Sequence, residues 1–97
     1  MILLTAYVDV IPEKVELALS ACRTVTGHSL KEPGCERYNF FQSTEDATKL
    51  VFVEEWSTKA DLDVHFQQPA FQQFFAEMGN YLTCPPDIRI FDASLLG

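Results

Sequence analysis

The chain has 97 residues, 47% of them apolar and 22% charged. That balance fits one globular domain over residues 1–97 and excludes a low-complexity chain or a second catalytic domain. Seven Lys and Arg against fourteen Asp and Glu leave a net charge of −7, which repels phosphate backbones and anionic headgroups, so neither nucleic acid nor a membrane is an expected partner.

Ile2 to Val10 is nearly continuously apolar and rich in β-branched residues, the pattern of a strand covered on part of both faces. Pro12 ends it and suits the first position of a helix, with Glu13 and Glu16 near the positive end of the helix dipole. Val15, Leu19, Cys22 and Val25 then recur at helical spacing, with Ala18 and Ala21 beside them. Gly27 is either the end of this helix or an internal glycine costing about 1 kcal/mol. Glu32-Pro33-Gly34 reads as a firm turn. Cys35 to Ser43 and Leu50 to Ser57 read as an antiparallel pair joined by the polar loop 44–49. Thr58 and Asp61 have capping-box form, and Leu62, His65 and Phe66 fall on one side of the short helix that follows. Pro69 restarts the chain in a second helical stretch with Phe71, Phe74, Phe75, Met78 and Leu82 as its stripe, and Ile88 to Ala93 is a last strand. The order βαββαβ predicts a ferredoxin-like α+β fold, a four-stranded antiparallel sheet with its helical elements on one face.

Strand parity predicts an assembly. Ile2, Leu4, Ala6, Val8 and Val10 share one side of the first strand, Leu3 and Tyr7 the other; Phe40 and Phe41 diverge, as do Phe52 and Val53. Helices cover only one face, so a second copy is expected to cover the other, giving a homodimer through the sheet.

Among residues able to carry chemistry, His65 sits near the apolar edge of its helix and is either a proton carrier near neutral pH or a core histidine bonded to backbone. Glu54 shares strand parity with Phe52 and Trp56, a setting where desolvation raises a carboxyl's pKa; Glu55 shares parity with Val53. Tyr38 and Tyr7 carry hydroxyls that need partners if buried, and a packing role is the simpler reading of both. No metal is expected, because the histidines and cysteines show no zinc spacing and no Cys-x-x-Cys pair. Gly-rich phosphate loops and Gly-x-Ser-x-Gly are absent as well, and Cys35 reads as packing rather than a nucleophile. The odd cysteine number and the lack of a leader pattern or a bilayer-length apolar run make the cytoplasm the expected location.

Glu32-Pro33-Gly34-Cys35, Tyr38, Phe52-Val53-Glu54-Glu55-Trp56, Asp61-Leu62-Asp63-Val64-His65-Phe66 and Pro69-Ala70-Phe71-Gln72-Gln73-Phe74 together resemble the antibiotic biosynthesis monooxygenase domain, whose relatives include small quinol monooxygenases of the dimeric α+β barrel superfamily. The resemblance implies a homodimer with sheets packed face to face and a pocket between each sheet and its helices. It further implies cofactor-independent oxidation of a small quinol, phenolic or anthrone-like aromatic by molecular oxygen. On that reading His65 moves a proton or binds a hydroxyl, Tyr38 and Glu54 orient hydroxyls or the base, and Trp56, Tyr7, Phe52, Phe71 and Phe75 bind the substrate. Many relatives carry His where Tyr7 stands. The haem-degrading branch is disfavoured, since the nearest matches to the places of its Asn and His are Tyr7 or its neighbour and Phe75. Two alternatives remain: an isomerase of a small phosphorylated metabolite, which would need a cation from Arg23, Arg37 or Arg89, and a noncatalytic dimeric small-molecule-binding protein.

Overall fold

The computed structural model describes residues 1–97 and contains strands β1 (Ile2–Asp9), β2 (Cys35–Gln42), β3 (Lys49–Trp56) and β4 (Asp87–Asp92) with helices α1 (Val15–Ser29), α2 (Lys59–Gln67) and α3 (Pro69–Met78). The strands form one sheet in the order β2-β3-β1-β4, antiparallel at every pairing. This is the α+β ferredoxin-like arrangement expected from the element order, the second helical element being divided into α2 and α3 at Pro69. Alternation holds along β1: Leu4, Ala6 and Val8 are buried beneath the helices while Tyr7 is 54% exposed on the outer face. On β3, Leu50, Phe52, Glu54 and Trp56 all point to the helical side.

Several boundaries differ from expectation for local reasons. Pro12–Lys14 is a single 3-10 turn closed by the Lys14 N–H on the Ile11 carbonyl at 2.8 Å, so α1 begins at Val15. The helix runs through Gly27 to Ser29. Val25 and Ser29 on either side are buried, and the Ser29 hydroxyl donates to the Val25 carbonyl at 2.7 Å. Packing of that last turn outweighs the glycine penalty of about 1 kcal/mol. Leu82 does not extend the α3 stripe. The helix stops at Met78, and Leu82 instead bridges Val10, with the Ile11 N–H on the Tyr81 carbonyl and the Thr83 N–H on the Asp9 carbonyl.

The core lies between sheet and helices, with Leu4, Val10, Cys22, Val25, Trp56 and Leu62 among its most buried side chains. The opposite face is uncovered. Tyr7, Val51 and Phe41 lie in one cross-strand row, and Tyr7, Phe41 and Phe91 are each about half exposed.

Candidate active site

A turn and a helix cap hold the site in place. Gly34 adopts φ 80°, a conformation that disfavours any residue with a Cβ, and its missing side chain lets the Asp61 carboxyl pack against it. The Ser57 N–H donates to the Gly34 carbonyl at 2.8 Å, while the Thr58 hydroxyl accepts the Asp61 N–H at 3.1 Å and caps α2. The Glu-Pro-Gly turn is therefore fastened to the start of α2, and one helical turn beyond Asp61 stands His65.

The His65 ring is fully buried, with its centroid 4.7 Å from Trp56, 4.9 Å from Phe71 and 5.5 Å from Tyr38. Its Nδ1 lies 3.0 and 3.1 Å from the two carboxylate oxygens of Glu32. Burial lowers the imidazole pKa below its usual value, and the Glu32 hydrogen bond only partly opposes this, which favours the neutral ring. A carboxylate only accepts, which makes Nδ1 the donor and assigns the single ring proton to it. Nε2, equally buried, has no hydrogen-bond partner.

Glu54 faces the same side of the sheet, opposite Leu4 on β1 and Tyr38 on β2, and is 4% exposed. The Trp56 indole N–H donates to its Oε1 at 3.0 Å. Burial raises the carboxyl pKa to about 7; the Trp56 bond opposes the rise and the charge of Glu32 adds to it. Burial also pushes the Tyr38 hydroxyl far above its ordinary range, with the Glu54 charge acting in the same direction and the Ser29 hydroxyl against it. The Cys35 thiol is raised to about 11, chiefly by burial and then by Glu32, so it is not a thiolate nucleophile at neutral pH.

Tyr38 and Glu54 open onto a cavity of about 90 Å³ between the sheet and α3. This is several times the roughly 10–15 Å³ that one water needs. Phe52 forms part of its floor, Phe71, Phe74 and Phe75 its roof, and Ile88 and Pro86 its end at the β4 edge. The α3 stripe thus spans a void instead of filling it. Of the sequence-predicted residues, Tyr38, Glu54, Phe52, Phe71 and Phe75 meet on this cavity. His65 and Trp56 do not line it: both lie behind its wall, Trp56 holding Glu54 and packing at a tilt against His65. Tyr7 lies on the other face of the sheet, away from the cavity, because odd positions of β1 point outward. Glu32 was missed among the site residues; its turn motif was visible, but its pairing with a residue 33 positions on was not.

No Lys or Arg reaches the cavity. Arg37 pairs with Glu55 at 3.4 Å and Arg89 with Asp87 at 3.1 Å, both from strand positions facing outward. No three His, Cys, Asp or Glu side chains are grouped to hold a metal ion. No helix is long and apolar enough to cross a membrane.

A family profile described as antibiotic biosynthesis monooxygenase matches residues 1–77. YcnE from Bacillus subtilis, which bears a provisional monooxygenase name, is 34% identical over 88 residues, 91% of this chain and 93% of that protein. An uncharacterised Synechocystis protein, sll1783, is 32% identical over 93% of this chain, which spans only 61% of that relative's length. Among solved structures, a conserved protein from Methanosarcina mazei superposes with TM-score 0.92 at 30% identity, covering 96% of this chain and 92% of the other. One from Nitrosomonas europaea, provisionally described as an antibiotic biosynthesis monooxygenase, gives 0.92 at 25%, covering 96% and 98%.

Proposed function

The chain belongs to the antibiotic biosynthesis monooxygenase family, and from that premise we propose that it is a monooxygenase acting on a small quinol-type aromatic. The observation that carries the reading is the cavity: phenylalanine rings on two sides, with a buried carboxyl of pKa about 7 and a phenol as its ionisable groups. Flat apolar walls suit a flat apolar ring, and the two polar groups suit its hydroxyls. The proposed reaction inserts one atom of molecular oxygen into the ring and releases the other as water, with the quinol supplying all the electrons. That chemistry requires an electron-rich substrate anion. Glu54 is poised to accept a hydroxyl proton, and the transfer moves one negative charge from protein to substrate without adding another to an apolar space. Tyr38 donates to the oxygen that becomes negative.

The lack of a cation on the cavity argues against a phosphorylated substrate, whose charge would meet only a carboxyl and a phenol there. The reading includes a homodimer: a second copy covering the outer face would bury Tyr7, Phe41 and Phe91, which otherwise stand in water.

An oxygen electrode with a panel of hydroquinones and anthrones tests it, run with and without chelator. Chelator-insensitive uptake by the wild type should fall by about 10²-fold or more in Glu54→Gln. No uptake with any panel member, alongside saturable binding of the same compounds, would instead favour a binding protein.

A further inference from the structure

A quinol sheds two hydroxyl protons on its way to a quinone, and Glu54 accounts for one. The structure holds a second basic atom that the reading above does not use. His65 Nε2 is fully buried and has no protein hydrogen-bond partner, an arrangement that costs about 1–3 kcal/mol in a finished core and calls for a functional explanation. Tyr38 and Phe71, whose ring centroids lie 5.5 and 4.9 Å from that of the imidazole, also line the cavity, so one layer of side chains separates the ring from it.

We propose that Glu32 is a positioning residue. By accepting the Nδ1–H at 3.0 Å it fixes His65 in the tautomer that turns an unprotonated Nε2 toward a hydroxyl admitted between Tyr38 and Phe71. The inference rests on the quinol reading and deepens it to a dihydroxy substrate with one acceptor for each hydroxyl. In the transfer the substrate O–H bond breaks, an Nε2–H bond forms and the electron pair stays on oxygen. The resulting imidazolium lies against the Glu32 carboxylate, which is acceptor-only and able to stabilise it. Other ionisable groups near the ring are Tyr38 on β2 and Glu54 on β3 beyond Trp56; Glu32 alone contacts a ring nitrogen. The fastening of Gly34 to Asp61 at the start of α2 is what delivers Glu32 to the ring.

The test is ¹⁵N NMR of the histidine side chains at pH 7.5 without substrate, on wild type, Glu32→Gln and Glu32→Ala. The Gln amide oxygen still accepts the Nδ1–H, whereas Ala leaves no acceptor. Wild type and E32Q should show His65 protonated at Nδ1, and E32A should shift the proton to Nε2. Turnover of a substituted hydroquinone should fall about tenfold or more in E32A and recover in E32Q. An Nε2–H signal in the wild type, which needs no variant to fold, overturns the inference. So does an unchanged tautomer in E32A, or a changed tautomer with unchanged turnover. Failure of the functional reading looks different: the tautomers behave as expected while the wild type consumes no quinol.

Discussion

Glu54 and His65 are both buried, each against the Trp56 indole, and carry opposite pH signatures. The Glu54 carboxyl titrates near pH 7 in the folded chain against about 4.5 when exposed, so between those values the folded state binds more protons than the unfolded one. Stability from this group is therefore full below pH 4.5 and lost as pH rises to 7. His65 runs the other way. Its folded pKa lies below 6.5, so its contribution is present above 6.5 and lost as pH falls through the folded value. The two partly offset in the wild type. Glu54→Gln removes the first and keeps an acceptor for the Trp56 N–H. The variant should match wild type near pH 5 and exceed it near pH 8 by up to about 3 kcal/mol, read from urea midpoints at both pH values. Equal midpoints at pH 8 would mean that burial does not raise the pKa of this carboxyl.

At the scale of elements, the Glu-Pro-Gly turn and α2 behave as one unit. A Cβ at Gly34 would overlap the Asp61 carboxyl and sit at φ 80°. Gly34→Ala should therefore cost about 1–3 kcal/mol in unfolding free energy and detach Glu32 from His65, visible as a shifted His65 ring resonance. Retained pairing in that variant would show that the turn is held by something else. How much of this was legible follows from the kind of signal each residue carries. Alternation set the faces of β1 and β3, so Glu54, Trp56 and Phe52 were rightly grouped and the order of elements was readable. The reach of a side chain past its neighbours carries no such signal. Trp56 shares parity with Glu54 yet stands behind the wall, and the apolar stripe of Phe71, Phe74 and Phe75 looks identical whether it fills a core or roofs a void. Gly27 misled for a similar reason: local propensity favours a stop, and the burial of Val25 and Ser29 decides otherwise.

The whole molecule leaves an aromatic row on the outer face, where Tyr7 and Phe41 flank Val51 across three strands. If a second copy covers it, Phe41→Asp should convert the dimer to monomer at micromolar concentration in sedimentation velocity, with the cavity on the far side of the sheet intact. An unchanged sedimentation coefficient would place the contact elsewhere. The same two-sidedness keeps the outer row apart from the cavity, since alternate residues of β1 and β3 face one or the other. One consequence follows from the chain's single tryptophan. Its indole lies against the imidazole and donates to the acid on the cavity wall, with no access to solvent. An excited indole responds to the charge of a carboxyl in contact with it, so the fluorescence of the unlabelled protein, excited where its three tyrosines do not absorb, should follow the protonation of Glu54.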